Sequence, residues 1–265
     1  QIDHFPAPKK ISTADKKDLV PSSKNDEQSK TREMGRIPVN ASNALKAYIR
    51  RDEWEESRGM ELERVIRESF KSKVSYCFNY LMLDPRMISS MSSPREIVSS
   101  CFYTGKGQTH RPLKQLFDAF NGRVTNRALS KKEERIWEIW DSGRGVIIVE
   151  FDHGNGEKEA LSRECCIISA YTSPEAQRDI SLMHLTNRSL GTCYGPCALW
   201  SQSDRASVGT SIIKRVMTRL ASEGIGCLRE IRPEYLPDYL FRVLSEDPSH
   251  AHMPPQQPVI EEHAF

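Results

Sequence analysis

Apolar positions first fall into a helical rhythm over Asn43–Lys73. Leu45, Tyr48 and Ile49 form one i, i+3, i+4 stripe there, and Leu62, Val65, Ile66 and Phe70 form another. Ser42 or Asn43 can cap this region, and Gly59 offers a break between the two stripes. The rhythm then changes. Val74–Leu83, closed by Asp84-Pro85, predicts a strand, and Ile97–Tyr103 predicts a second that runs into Gly105-Lys106-Gly107. Pro112 suits the first helical position, which puts Arg111 at the N-cap of a helix over Leu113–Phe120 that stops near Asn121-Gly122. Ser130-Lys131-Lys132-Glu133 is a capping box opening a helix that ends at Gly143. Val146–Phe151 alternates as a third strand before an Asp152–Gly156 turn. Further helices are expected over Glu157–Ala170, over Pro174–His184 with Ser173 as cap, and over Ser207–Ser222, where Val208, Ile212, Ile213, Val216 and Leu220 repeat at helical spacing. Trp137 and Trp140 read as core anchors.

The order β, β, α, α, β, α, α, without internal repeat, predicts a mixed α/β domain. Lys, Ser, Asp, Pro and Gln dominate residues 1–41, a composition of disordered linker, and 42–73 is a helical extension. Residues 223–265 form a C-terminal extension whose Pro-, His- and Glu-rich tail after Asp247 is expected to be loose.

Composition narrows the class. Of 265 residues, 38% are hydrophobic and 28% charged. The mean hydropathy of −0.57 is polar for a globular chain and fits an ordered core with disordered flanks. No stretch approaches the roughly 20 apolar residues that span a bilayer, and no signal-type apolar region follows the start. Both observations argue against a membrane protein and a secreted precursor. The seven cysteines show no paired framework, which fits reduced thiols in the nucleus or cytoplasm. Cys193-Tyr-Gly-Pro-Cys197 has the spacing of half a zinc knuckle, but no second convincing pair accompanies it, and buried small hydrophobes are the better reading.

Two tyrosine-bearing strands carry the chemistry. Phe78-Asn79-Tyr80 lies in the first, and Tyr103-Thr-Gly-Lys-Gly-Gln-Thr-His-Arg111 leads from the second into a helix. With Tyr80-Leu-Met-Leu-Asp-Pro-Arg86, Arg111-Pro112, Thr186-Asn187 and Cys193-Tyr194-Gly195, this ordered set resembles the GIY-YIG nuclease domain, in the branch of the LEM-domain and ankyrin-repeat endonucleases. The resemblance covers about Val74 to Leu220 and makes 74–222 the nuclease domain. It implies an α+β fold, a small antiparallel three-stranded sheet flanked by helices, with extra N- and C-terminal helices. It also implies a structure-selective DNA endonuclease of genome maintenance that uses Mg²⁺ or Mn²⁺ and acts on branched or distorted DNA such as junctions and flaps.

Phosphodiester hydrolysis needs a nucleophile, a group that takes its proton and positive charge where the transition state turns negative. By resemblance, Tyr80 or Tyr103 is the base and Arg111 the phosphate clamp. A phenol with a pKa of about 10 needs nearby cations to serve at neutral pH, and Lys106, Arg111 and a metal would supply them. His110 is a rival base with a better intrinsic pKa. Gly105 and Gly107 let backbone approach a phosphodiester, Lys106 adds a cation, Lys114 belongs to the basic stretch that follows, and Asn187 is a positioning residue near the site. The family places a metal-binding Glu where this chain has Ser169, so Glu164 is the preferred ligand, with Glu159 behind it.

The formal net charge of +2 conceals two basic windows, Gly105–Arg135 at +5 and Arg205–Ser222 at +4, which are candidates for backbone-phosphate contacts. A non-catalytic nucleic-acid-binding module and a protein-interaction module, the latter docking through Asn43–Lys73, are the rival readings.

Overall fold

At the centre of the sheet lies β1 (Cys77–Leu83), all seven of whose residues are buried. It pairs antiparallel with β2 (Cys101–Gln108) on one side and β3 (Val146–Asn155) on the other. A two-residue strand, β4 (Glu230–Ile231), joins β3 to complete the order β2–β1–β3–β4. The sheet therefore has four strands rather than three. Two residues are too few to leave a periodicity in sequence. These observations come from a computed structural model that describes residues 37–70, 76–89, 93–223 and 229–236. Most of the expected 1–41 linker, the Val74 end of the first predicted strand and the tail after Asp247 lie outside the described residues.

Strand periodicity divides the core. Phe78, Tyr80 and Met82 face a cluster with Phe102, Leu116, Ile136, Ile139 and Trp140. Leu81 and Leu83 point the other way, into a larger cluster that includes Leu45, Ile66, Phe151, Ile167 and Ile212. The first face is covered by α4 (Arg111–Val124) and α5 (Lys131–Asp141). The second is covered by α6 (Glu157–Ala170) and α8 (Gln202–Glu223). At Gly209 of α8 a β-carbon would stand 2.0 Å from the Cys166 carbonyl, so only glycine permits this helix crossing.

The Asn43–Lys73 region forms two helices, α1 (Asn43–Arg50), capped by Ser42, and α2 (Glu56–Ser69). The break falls at Arg51–Glu55, not at Gly59. Gly59 lies inside α2, where a β-carbon would meet the Ser207 carbonyl at 2.7 Å. Leu45, Ile49, Leu62 and Ile66 belong to the same cluster as α6 and α8, so their apolar faces are already covered. Polar groups join these elements too. Arg163 of α6, almost wholly buried, bonds Glu63 of α2 at 2.9 Å, Asp152 of β3 at 3.1 Å and Glu159 at 3.0 Å.

Five further boundaries differ from expectation, the first being β3, which continues through the expected Asp152–Gly156 turn to Asn155. The Ile97–Tyr103 strand is split: Ser93-Pro94 starts a helix, α3 (Pro94–Ser100), and β2 begins only at Cys101. Proline at a helix start outweighs the β-branched Ile97-Val98 pair. The α4 N-cap is His110, with Arg111 as the first helical residue, and the helix runs on to Val124. Pro174–His184 yields only α7 (Pro174–Arg178), with Ser173 as its cap, followed by a 3₁₀ turn at Ile180–Leu182. The last long helix begins at Gln202, five residues before the predicted start. The Ser130–Glu133 capping box is present as read.

Candidate active site

β2 is an edge strand, and unpaired backbone groups at a sheet edge invite another chain unless they are covered. Here side chains cover them in sequence. The Phe102 carbonyl accepts from the Thr186 amide at 2.7 Å and its hydroxyl at 2.9 Å. Asn187 accepts from the Thr104 amide at 3.2 Å and donates to the Thr104 carbonyl at 2.9 Å. Glu164 accepts from the Lys106 amide at 3.1 Å. Asn187 thus holds β2 in place through its backbone, and it is buried there. Glu164 reaches the same edge from α6.

The register sets Tyr80 opposite Gly105 and Phe78 opposite Gly107. A β-carbon at Gly105 would lie 2.7 Å from the Tyr80 hydroxyl, and one at Gly107 would lie 2.6 Å from the Phe78 ring. These glycines make room for aromatic rings of β1.

Tyr80 is buried, and its hydroxyl accepts from Gln115 Nε2 at 2.6 Å. Tyr103 stands beside it, ring centroids 6.0 Å apart, with its hydroxyl 3.5 Å from the same amide nitrogen and part of its surface exposed. Burial pushes both phenols above their usual range. For Tyr80, the neighbouring Tyr103 and the Glu164 charge add to that rise, and Arg111 only partly opposes it. For Tyr103, the Gln115 bond and the Arg111 charge work against burial without cancelling it. The expected lowering by cations is therefore not met by the side chains alone.

Two residues of this site escaped sequence reading. Gln115 lies one helical turn after Arg111, an i, i+4 spacing that could have signalled a shared face. Lys132 stacks its ammonium 4.6 Å from the Tyr103 ring centroid and bonds the Gln115 carbonyl oxygen. Burial pulls its pKa down to about 8. Nothing in the local sequence distinguishes Lys132 from Lys131, which is exposed.

Arg111 is exposed at the first position of α4, where the helix dipole and free amides favour anions. Among the described residues no carboxylate forms an ion pair with it, whereas its charge acts on Tyr80, Tyr103, Lys132 and Glu164. His110, the N-cap, is also exposed, and its side chain does not cap the helix. Lys114 pairs with Asp118 at 2.9 Å on the outer face of α4. Lys106 pairs with Glu157 at 2.7 Å.

Glu164 is half-buried, and burial pushes its carboxyl up to about 7 against the opposing pull of the Lys106 amide and the Lys106 and Arg111 charges. Ser169 cannot take its place, because five residues rotate a side chain by about 140° around an α-helix. The carbonyl of Ser169 instead accepts from Gln202 at 3.2 Å. Glu159, the reserve ligand, is engaged with buried Arg163. A single hard carboxylate beside the two tyrosines and Arg111 suits Mg²⁺ or Mn²⁺, which keep several waters and take further oxygens from phosphate.

The basic windows are largely engaged within the fold. Arg123 pairs with Asp141, Arg127 with Glu133, and Arg135 with Asp84 and Glu138. In the second window Lys214 pairs with Glu56, Arg215 with Asp152 and Glu63, and Arg205 bonds the Cys197 and Ala198 carbonyls. That window binds helices and strands to one another.

Comparison with known proteins agrees with this architecture. The family model of the LEM-3-like GIY-YIG domain matches residues 77–236, and the chain belongs to that family, whose members are generally endonucleases. The Ankyrin repeat and LEM domain-containing protein 1 homolog of Caenorhabditis elegans is 32% identical over 193 residues, covering 70% of this chain and 26% of the relative. Ankyrin repeat and LEM domain-containing protein 1 of Mus musculus is 32% identical over 168 residues, 59% of this chain and 29% of the relative. The Homo sapiens protein of that name is 29% identical over 175 residues, 61% of this chain and 26% of the relative. The chain therefore spans less than a third of these relatives' length. No solved structure matches it. Among the described residues no helix is long and apolar enough to cross a membrane.

Proposed function

We propose that this chain is a divalent-metal-dependent, structure-selective DNA endonuclease that hydrolyses phosphodiester bonds in branched DNA. The observation that carries the reading is the convergence of Tyr80, Tyr103, Arg111 and Glu164 on the β2 edge and the start of α4. Arg111, with the helix N-terminus behind it, binds the scissile phosphate and stabilises the charge that builds on it. Tyr103, the more exposed phenol, orients the attacking water and takes its proton, while Tyr80 and Gln115 fix the Tyr103 ring and hydroxyl. His110, at the helix entrance, is a phosphate contact rather than the base in this reading. Glu164 would hold the Mg²⁺ or Mn²⁺ ion, which when bound supplies positive charge that favours ionisation of water or phenol.

Selectivity for branched substrates rests on the family resemblance. The six described cysteines are free, which suits a reducing nuclear or cytoplasmic setting. The binding-only reading draws its motive from Ser169; the nearness of the Glu164 carboxylate to the Lys106 amide and the Arg111 charge favours catalysis over it. Incubating the purified chain with junction, flap and linear duplex DNA, with Mg²⁺ or Mn²⁺, tests the proposal. Nicks confined to branched substrates are expected. Salt-sensitive binding without nicking over a range of pH would overturn catalysis, and equal cutting of linear duplex would overturn selectivity.

A further inference from the structure

Sequence spacing left Cys193 and Cys197 without a second pair, and the fold supplies one from α6. The sulfurs of Cys166, Cys193 and Cys197 all lie within 4.8 Å of one another. Cys166 and Cys197 are 3.6 Å apart and wholly buried. Cys165, the preceding residue of α6, sets its own thiol against those of Cys193 and Cys197. Three thiols thus meet at one point between a helix and a loop, with the Cys165 thiol beside them.

Three chemistries could explain such a meeting. A disulfide requires sulfurs about 2.05 Å apart, well short of what is seen. Ordinary packing of small apolar side chains explains isolated cysteines such as Cys77 and Cys101, but it gives no reason for three to converge. Thiolates bound to zinc at about 2.3 Å in a tetrahedron stand roughly 3.8 Å from one another, close to the Cys166–Cys197 separation.

The loop is also shaped for the purpose. Gly191 and Gly195 have positive φ values of 77° and 57°. A β-carbon at Gly191 would lie 3.0 Å from Cys165 Cα, so glycine lets the loop press against the helix. The Tyr194 amide donates to Ser162 at 2.9 Å, fixing the turn between the two loop cysteines. Arg205 donates to the Cys197 carbonyl at 3.2 Å and to the Ala198 carbonyl at 3.0 Å, which places a cation beside a cluster whose thiolates would outweigh the ion's charge.

We propose that Cys166, Cys193 and Cys197 form the core of a structural zinc site, with the neighbouring Cys165 completing its donors, that clamps the 191–199 loop onto α6. The site is separate from the carboxylate of Glu164, and its soft sulfur donors select a different ion from the hard one proposed there.

The test is metal analysis of the chain purified without added metal or chelator, with thiols counted after denaturation in the absence of reductant. One zinc per chain and seven reactive thiols after zinc release are expected. Cobalt added to stripped protein should give intense thiolate charge-transfer absorption and tetrahedral d–d bands. The double variant Cys193→Ser/Cys197→Ser should lose both the zinc and the cobalt spectrum. Should that variant fail to fold, the cobalt titration of the unaltered chain carries the test. Zinc-free protein with seven free thiols, iron in place of zinc, a thiol count short by a disulfide, or a cobalt spectrum without thiolate bands would each overturn the proposal.

Discussion

Gly105 lies directly across the β1–β2 ladder from Tyr80, and a β-carbon on it would stand 2.7 Å from the Tyr80 hydroxyl. The glycine of the Tyr-x-Gly motif is therefore a receptor for the tyrosine of the first strand. The two motifs are one packed unit, and the distance between them in sequence is an accident of connection.

Gly105→Ala should displace the Tyr80 ring and with it the Gln115 hydrogen bond. Overpacking of this kind typically costs about 1–3 kcal/mol. Urea denaturation should show that loss, and cleavage of junction DNA should fall with the fold still intact. Unchanged stability together with unchanged cleavage would show that the ring has another place to go.

Tyr103→Phe and Tyr80→Phe should separate chemistry from structure. The Tyr103 hydroxyl makes a long contact to Gln115 and a hydrogen bond to Tyr80, so losing it should cost no more than about 0.5–1.5 kcal/mol. If it is the base, cleavage falls by about 10²- to 10⁴-fold. Tyr80→Phe instead strands the buried Gln115 amide, at a cost of about 1–3 kcal/mol. Full cleavage by Tyr103→Phe with Tyr80→Phe inactive and stably folded would transfer the base role to Tyr80.

Local signals were readable where one residue dictates one geometry. The Ser130–Glu133 capping box, the Ser42 and Ser173 caps and the β1 run lie where local chemistry puts them. Tyr80, Tyr103, Arg111 and Glu164 lie near enough to act on one another's charge, because their spacing follows strands and helices that were themselves legible. What was hidden is non-local. β4 needs β3 as a template, and Gln115 and Lys132 matter only once α4 and α5 lie over Tyr103. Cys165 and Cys166 acquire their partners only when the 191–199 loop returns to α6. The Ile97-Val98 pair misled for the opposite reason: a strand-like pair was overruled by the helix start at Pro94.

Lys132 gives the site a measurable pH signature. Its pKa in the folded chain, about 8, lies below the ordinary 10.5 because burial disfavours the ammonium. Between those values the unfolded chain holds the extra proton, so this group makes stability rise with pH across the window. At 1.36 kcal/mol per unit, its full contribution is at most about 3 kcal/mol. Chemical denaturation from pH 7 to 10.5 should show wild type gaining on Lys132→Met. Parallel curves for the two proteins would mean that Lys132 titrates normally.

Arg163 supports the strongest stability prediction. It sits among Glu63, Asp152 and Glu159, and Arg215, bonded to Asp152 at 2.7 Å and Glu63 at 2.9 Å, shares the task of balancing them with the more distant Arg67, 3.9 Å from Glu63. Arg163→Met keeps most of the volume and removes the charge, leaving buried carboxylates underpaired. Breaking a buried pair in this way costs about 3–5 kcal/mol. Because Glu63 belongs to α2, the same loss should loosen the helical extension from α6 and α8. Hydrogen exchange should therefore show α2 amides losing protection along with those of α6. A loss below about 1 kcal/mol, the range of exposed pairs, would show that the network is solvated, and α2 would then be held chiefly by the packing of Leu62 and Ile66.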